Sequence, residues 1–412
     1  MTMAESVAGA SAAVDLLVLG GAILLCALLA RGLARIWIST ALLLVVLGVV
    51  VGPSFLGWFD LSITSPTVKE LASLALATVL FSDATRTDLA SLRLNAVEPV
   101  RLLTIGLIGS IVLGAVIALP LLPALTLPLA LALGATLAPT DAALGAPVVS
   151  DPAVPAKVRQ VLTVESGLND GLAVPILLLA LGMAGLQDNG GNGFVRVLVS
   201  VLGAGALVGV VLSAGVAAVW VATRRRWGVS GQWTPLVPLL TAVGCYLLAE
   251  ELGGSGFIAA FVGGLTFGFV CRGRVSDELD VDENVSNLLQ AATWFIFGAL
   301  VVGVVITHTG FDWRWLVYAV LSLTVVRALP VALALIGTKE KLPTVAFMAW
   351  FGPRGLASVV FLFVVLDAAP ATPVQVTFFG TVTITVMLSI LLHGISARPW
   401  AKAYGAWAQR HG

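Results

Sequence analysis

Apolar stretches of membrane-spanning length follow one another along nearly the whole chain. Crossing the hydrocarbon core of a bilayer takes about 17–25 predominantly apolar residues in helical conformation. Thirteen runs of this kind, joined by short polar connections, predict an all-α polytopic membrane protein with thirteen transmembrane helices. Their predicted bounds are 14–33, 36–52, 66–85, 100–121, 125–149, 158–184, 195–222, 232–251, 255–272, 284–307, 314–336, 343–366 and 374–397.

Composition agrees with this pattern and narrows the function. Of 412 residues, 59% are hydrophobic and 11% are charged, whereas a soluble domain carries about 25% charged residues. The formal net charge is zero, which gives no basic surface for a nucleic-acid partner. No nucleotide-binding motif is present, so pumping driven by nucleotide hydrolysis is not expected. No cofactor is indicated, and residues 1–412 are predicted to form a single transmembrane unit in contact with lipid.

The basic residues predict how the chain is oriented. Cytoplasmic connections collect Lys and Arg. Of the 22 basic residues, 17 lie at connections after odd-numbered spans, and only Lys69, Arg196 and Arg314 lie on the other side. The remaining two, Arg327 and Arg354, lie within spans. We therefore predict an outside N-terminus and an inside C-terminus.

Among the ionisable side chains within predicted spans, six stand out. Such a group costs about 2.5–3.5 kcal/mol on insertion scales, so each is a functional hypothesis. Four acids against two bases leave two carboxylates without a countercharge in the membrane. A transported cation or proton is the natural partner for them. The six residues are Asp83, Asp141, Glu165, Asp170, Arg327 and Arg354.

Span 6 is predicted to present one polar face. Helical periodicity puts Glu165 beside Asn169 and Ser166 beside Asp170. These four residues fall within one strip of the helix surface. Their spacing therefore indicates a single site, with two carboxylates, an amide and a hydroxyl.

Span 5 is predicted to be broken at membrane depth. Pro139 has no backbone N–H and disturbs the turn before Thr140 and Asp141. Broken helices occur in membranes only where they line a cavity or are buried in protein. Freed carbonyls and the Asp141 carboxylate are hard oxygen ligands for an alkali cation. Span 12 carries a matching break at 352–355 and runs in the opposite direction, which favours an inverted repeat of spans 4–6 and 11–13.

Structural roles are open for two of the carboxylates. Asp83 lies near the inner end of span 3, where it can extend toward the interface and pair with Arg86. Asp141 can satisfy backbone donors that the break exposes. In either case the residue would support the fold without binding an ion.

Two further points concern ion pairs and histidines. Glu165 is expected to form a structural ion pair, with either Arg327 or Arg354 as its partner. His308 and His393 lie near the ends of predicted spans, and we interpret both as bystanders.

Taken together, these motifs resemble those of the monovalent cation:proton antiporters of the NhaP and eukaryotic sodium/proton exchanger type. The resemblance covers essentially the whole chain. The motifs are Leu-Phe-Ser-Asp-Ala at 80–84, Thr140-Asp141, Glu165-Ser166, Asn169-Asp170, Arg327 and Pro-Arg-Gly at 353–355.

The resemblance implies exchange of Na⁺ or K⁺ for H⁺ across a bacterial inner membrane. It implies a homodimer whose protomers each contain a core and a scaffold. The core would comprise 100–184 and 314–397 with span 3 (66–85), and would move like an elevator. The scaffold, which would form the dimer, would comprise 14–52 and 195–307.

The resemblance also implies roles for the site residues. Asp170 would be the obligatory carboxylate that binds either the cation or the proton. Asp141, Ser166 and the backbone near Thr140 would complete the cation shell, with Asp83 contributing from span 3. Glu165 and Asn169 would hold the helix, Glu165 by pairing with Arg327. In this family an Asn before the essential Asp, here Asn169, goes with electroneutral exchange. The family often has Glu where this chain has Asp83, whose shorter side chain reaches less far.

Other functional classes fit less well. An intramembrane protease needs a nucleophile or metal motif that this sequence lacks, so the protein is not expected to be an enzyme. A channel needs a continuous polar pore, which the paired helix breaks argue against. The serious alternative is a cation-coupled symporter of a small organic solute on a similar inverted repeat. Proton flux without added solute separates it from an antiporter.

Overall fold

The computed structural model describes residues 3–35, 38–59, 65–87, 97–185, 197–227, 233–271, 283–307, 310–368 and 373–411, and the regular structure in these ranges is helical. The two parts of an interrupted helix share a number below. The helices are α1 (Met3–Arg35), α2 (Thr40–Val51), α3 (Pro66–Arg86), α4 (Val97–Leu121), α5a (Leu127–Leu137), α5b (Ala142–Val149), α6 (Ala156–Met183), α7 (Gly203–Trp227), α8 (Leu236–Glu251), α9 (Gly256–Cys271), α10 (Val285–Thr307), α11 (Trp313–Leu335), α12a (Leu342–Trp350), α12b (Leu356–Ala368) and α13 (Pro373–His411).

Many of the helices are long enough and apolar enough to cross a membrane. Within the described ranges, eight helices are long and apolar enough to cross one, and α2, α9 and α12b are shorter apolar helices. The thirteen-span count and the orientation stay predictions. Several residues that bear on the sequence analysis lie outside the described residues, namely Arg93, Arg196, Arg272, Arg274 and His308.

Two helices are interrupted where the sequence predicts it. Helix α5a ends at Leu137 and α5b begins at Ala142, while α12a ends at Trp350 and α12b begins at Leu356. A proline lies in each gap, at 139 and 353, and contributes no N–H to a continuing helix. The gaps leave backbone groups at four helix ends that need partners elsewhere.

Helices α11 and α13 differ from their predicted forms. We predicted an uninterrupted span over 314–336, but α11 is kinked at Thr324. The Thr324 hydroxyl donates to the Val320 carbonyl (2.6 Å), and Pro330, nearly two turns later, has no amide hydrogen to donate. Both features bend helices. Helix α13 continues to His411 instead of ending at 397, so His393 lies in mid-helix.

Side chains predicted to lie on the cytoplasmic side contact one another at one end of the bundle. Lys157, in the first turn of α6, donates to Glu98 of α4 (2.8 Å) and to Glu340 before α12a (2.6 Å). At the other end, Lys69 of α3 pairs with Asp367 of α12b. Residues predicted to lie on the same side of the membrane thus lie at the same end of the bundle. This supports the predicted alternation of inside and outside connections.

Glycines of α9 bring α3 close to the rest of the bundle. A Cβ added at Gly264 would overlap the carbonyl oxygen of Phe81, and one at Gly268 would lie 2.5 Å from that of Thr85. The Thr85 hydroxyl in turn donates to the Gly264 carbonyl (3.2 Å). Small residues allow this close backbone packing between membrane helices, and it fixes the end of α3 that carries Asp83.

Candidate functional site

The breaks of α5 and α12 lie against each other. The amide of Asp141 donates to the carbonyl oxygen of Pro353 (2.8 Å). In the other direction, the buried guanidinium of Arg354 donates to the carbonyl of Ala138 (2.7 Å) and, less closely, to that of Pro139 (3.3 Å). Because these carbonyls form the negative end of α5a, a positive charge there is favourable.

Asp141 caps two helices at once. Its Oδ1 accepts from the amide of Leu144 in α5b, and its Oδ2 accepts from the amide of Leu356 in α12b, both at 2.8 Å. A helix N-terminus carries roughly half a positive charge, so two of them balance about one carboxylate. The structural role that the sequence left open for Asp141 is therefore present. Each carboxylate oxygen keeps further lone pairs for a ligand.

Gly355 makes this double cap possible, which gives a testable prediction. A Cβ at this position would overlap the Asp141 carboxylate, so Gly355→Ala must displace either the carboxylate or the start of α12b. We expect a loss of about 1–3 kcal/mol, as for other overpacked sites. Thermal unfolding in detergent measures it. Gly215→Ala on α7, where a Cβ meets nothing within 4 Å, is the matched control, and equal melting temperatures for the two variants would contradict the prediction.

Helix α6 joins the break of α5 through polar side chains. The Asn169 amide donates to the Thr140 hydroxyl oxygen (2.7 Å). The Ser166 hydroxyl donates to the Leu162 carbonyl of its own helix (2.9 Å), so its oxygen retains lone pairs. Thr140, Asp141 and Ser166 all line one small cavity beside Pro353. Three of the predicted cation ligands are thus brought together.

The structure pairs Glu165 with Arg327. The two side chains form a bidentate ion pair with N–O distances of 2.5 and 2.9 Å, and each is 3% exposed. Arg354, the other partner considered, instead binds the α5a carbonyls. Both buried arginines therefore have assigned partners, one a carboxylate and the other a helix end.

Asp170 is the buried acid for which the described part of the chain provides no countercharge. The residue is 8% exposed, and its Oδ1 has no hydrogen-bond partner among the described residues. The charged groups that interact with it electrostatically are Asp141 and Asp83, both acids. Asp170 lies one turn beyond Ser166 on α6 and is outside the lining of the small cavity. An unpaired carboxylate at this depth calls for a proton or a cation.

Asp83 approaches the site from α3. A Cβ added at Gly167 of α6 would lie 3.4 Å from the Asp83 Cβ, so α3 and α6 pack closely here. Asp83 interacts electrostatically with Arg86 as well as with Asp141, and both of its predicted roles therefore stay open. No three His, Cys, Asp or Glu side chains of the described ranges form a metal cluster. A cation here would need hydroxyl and backbone oxygens beside the carboxylates.

A second, larger cavity of about 690 Å³ lies on the other face of α5b. Segments of α1, α2 and α10 line one side of it, and α5b and α13 line the other. Most of its lining residues are apolar, and His393 and Arg398 of α13 are among the polar ones. The cavity thus follows the predicted boundary between scaffold and core.

The sequence analysis missed the contribution of α13. We interpreted His393 as a bystander near a helix end, but it is 3% exposed and contacts the carbonyl of Trp350 at the end of α12a (2.9 Å). Ser389, one turn earlier, accepts from the amide of Arg354 (2.6 Å). The sequence did contain a signal for this role. A predicted helix break needs polar groups to cap its ends, and Ser389 and His393 lie on one face of the following helix.

The sequence is similar to those of known cation:proton antiporters. The family model described as sodium/hydrogen exchanger, transmembrane, matches residues 21–403. The K(+)/H(+) antiporter NhaP of Alkalimonas amylolytica is 25% identical over 374 residues, 90% of this chain and 63% of that protein. The Na(+)/H(+) antiporter NhaH of Halobacillus dabanensis is 29% identical over 272 residues, 61% of this chain and 62% of that protein. The chain thus spans less than two thirds of these curated relatives.

The fold is also that of a solved structure. The sodium proton antiporter MjNhaP1 of Methanocaldococcus jannaschii, solved at pH 8, superposes with a TM-score of 0.77. The sequences are 25% identical, and the match covers 96% of this chain and 99% of that chain.

Proposed function

Because the chain belongs to the sodium/hydrogen exchanger family, we propose that it exchanges Na⁺ or K⁺ for protons across the membrane, with Asp170 as the carboxylate that binds either ion. One observation carries this proposal. Glu165 is paired with Arg327, and Asp141 is balanced by two helix ends, but Asp170 is buried without a countercharge in the described part of the chain. The charge of Asp170 is therefore neutralised by a transported cation or a proton, each of which binds and is released during exchange.

Competition at this carboxylate couples the two fluxes. A proton or a partly dehydrated cation each neutralises Asp170, with Asp141, Ser166 and the oxygens of Thr140 completing the cation shell and Asp83 beside them. Transfer of the empty, charged site would incur the desolvation cost of a buried ion. The site therefore crosses only when it carries one of the two ions, and no cofactor or nucleotide is needed.

Proton flux in proteoliposomes tests the function. The protein is reconstituted with a lumenal pH dye, and Na⁺, K⁺ and Li⁺ are added outside in turn, without any organic solute. We expect Na⁺ or K⁺ to alkalinise the lumen, because entering cations drive protons out. Protein-free liposomes are the control. No response to any of the cations would contradict the antiporter function and favour the symporter.

The exchange should also depend on pH in a defined direction. When pH falls, protons occupy Asp170 more often, so more cation is needed to reach half the maximal rate. For pure competition this concentration rises by up to about tenfold per pH unit. Initial rates at several cation concentrations and pH values measure it. A half-saturating concentration that does not change with pH would contradict competition at one carboxylate.

The exchange is expected to be electroneutral. Asn169 precedes Asp170 and is neutral, and it is engaged with Thr140, so one carboxylate is left to carry one charge of either kind. An electroneutral exchanger does not respond to membrane potential. Rates measured with and without a potential set by a thiocyanate gradient should therefore agree, and a potential-dependent rate would indicate unequal charge movement.

An elevator movement is our proposal for how the site changes sides. The larger cavity separates the proposed scaffold (14–52 and 195–307) from the proposed core (100–184 and 314–397, with 66–85), which supports a moving boundary there. Ala146 lines the cavity from the core side. In a cysteine-free background, the rate at which Ala146→Cys reacts with a thiol reagent should change with cation and pH. A constant rate would argue against the movement.

The topology belongs to the same proposal. Helices α4–α6 and α11–α13 each carry a break in the middle member, and the two breaks contact each other, which supports an inverted repeat within thirteen spans. Impermeant thiol reagents should label Asp367→Cys from outside and Lys157→Cys only from inside. Labelling of both from one side would refute the orientation.

We also propose that the protein is a homodimer. Light scattering in detergent should then give twice the mass of one chain.

A further inference from the structure

Two side chains of α13 hold the two sides of the break in α12. His393 Nε2 lies 2.9 Å from the carbonyl oxygen of Trp350, the last residue of α12a. Ser389 Oγ lies 2.6 Å from the amide nitrogen of Arg354, which follows Pro353. The two residues are four apart, so they lie above one another on the same face of α13.

The Trp350 carbonyl has lost its helical donor. In a continuing helix it would accept from the amide four residues on, that of Arg354, which here donates to Ser389 instead. The Gly352 amide donates to the Trp350 oxygen in a tight turn (2.8 Å), and a carbonyl oxygen keeps a second lone pair for a side-chain donor. His393, 3% exposed, is the side chain that reaches this carbonyl.

The contact with Trp350 requires a hydrogen on Nε2, since a carbonyl oxygen can only accept. With a hydrogen on Nε2, the ring donates to Trp350 while Nδ1 accepts from the Ser389 hydroxyl (3.2 Å), which itself accepts from Arg354. Nδ1 also lies 2.9 Å from the Ser389 carbonyl, so a doubly protonated ring would donate to both carbonyls. Every state with a hydrogen on Nε2 keeps the contact with Trp350.

We propose that His393, together with Ser389, is a positioning residue for the ion site. By holding the end of α12a and the amide of Arg354, the pair fixes the α12 break, whose Pro353 carbonyl and Leu356 amide bind Asp141. His393 touches no proposed ligand and lines the larger cavity instead. It therefore acts on cation affinity through the backbone. This inference rests on the proposed function.

Two amide substitutions of His393 distinguish the position of the hydrogen-bond donor from the loss of the imidazole ring itself. The amide nitrogen of Gln lies near the place of Nε2, and that of Asn lies near the place of Nδ1. In proteoliposomes we expect His393→Asn to raise the half-saturating cation concentration about tenfold, the effect of one lost buried hydrogen bond. His393→Gln should stay within about threefold of wild type, since it keeps a donor for Trp350. Ser389→Ala, which leaves the Arg354 amide without its acceptor, should resemble His393→Asn.

Ser396→Ala is the matched control. The Ser396 hydroxyl accepts from the indole of Trp350 (2.9 Å), so this variant removes a hydrogen bond between the same two helices but spares the break. Its affinity should match wild type. If it equals His393→Asn, or if His393→Gln and His393→Asn behave alike, the positioning role is wrong and general packing explains the effect.

Hydrogen–deuterium exchange of residues 350–356 provides a readout that does not need transport. His393→Asn should speed exchange there, whereas His393→Gln and Ser396→Ala should not. If the wild-type protein does not exchange ions at all, the proposed function is wrong. The deuterium measurement would still show whether His393 holds the break in α12. Unchanged deuterium uptake in His393→Asn would overturn the inference, whatever the flux assay shows.

Discussion

Replacing Asp170 with Asn is expected to abolish cation-dependent proton flux. The amide keeps the size of the side chain but can neither release a proton nor carry the charge that a cation neutralises. Asp170 is buried and unpaired in the described part of the chain, so removing its charge relieves a desolvation cost. We therefore expect a protein that folds at least as well as wild type but does not transport.

Two measurements distinguish this outcome from misfolding. Thermal unfolding in detergent should give a melting temperature equal to or above that of wild type, while the lumenal dye shows no response to Na⁺ or K⁺. Asp312→Asn is the matched control, since Asp312 caps α11 by accepting from the Arg314 amide at an exposed position. It should keep wild-type flux. Residual flux above about a tenth of wild type in Asp170→Asn would show that another group carries the ions.

Breaking the ion pair between Glu165 and Arg327 should have the largest effect on stability. Either Glu165→Gln or Arg327→Gln leaves one charge buried without its partner, at 3% exposure. Removing one member of a buried pair costs about 3–5 kcal/mol. Heat-induced unfolding in detergent should show a large fall in melting temperature for both variants.

The double variant carries the stronger test. With Gln at both positions no buried charge is left, so the loss should be smaller than the sum of the two single losses. The half-exposed pair of Lys69 and Asp367 is the control, because a surface pair contributes about 0–1 kcal/mol and Lys69→Gln should change little. Strict additivity at Glu165 and Arg327 would mean that the two residues do not act as a pair.

The sequence predicts the features that depend on a few neighbouring residues. The breaks follow from Pro139 and Pro353, because a missing N–H acts within one turn. The polar face of α6 follows from helical periodicity in the same way. The kink of α11 had signals of this local kind in Thr324 and Pro330, but both residues are common in uninterrupted helices and predict no specific bend.

Contacts between distant segments could not be predicted. Whether Glu165 faces Arg327 or Arg354 depends on how α6 is rotated against α11 and α12, which the packing of the whole bundle sets. The double cap by Asp141 joins residues 215 positions apart in sequence. His393 was misjudged because its burial depends on where α13 lies against α12a. The residues of the proposed ion site could thus be proposed from the sequence, whereas most of their partners could not be predicted from it.

The contact of Lys157 with Glu98 and Glu340 has a mechanical consequence. It ties helices α4 and α6 to the segment just before α12a, and the paired breaks of α5 and α12 form a second connection at another depth. From Lys157 to Asn169 along α6 the distance is about 18 Å, at 1.5 Å per residue. A single attachment lets two bodies pivot about it, whereas two attachments this far apart oppose rotation as well as separation. Helices α4–α6 and α12 should therefore tilt together as one rigid unit rather than rotate relative to each other.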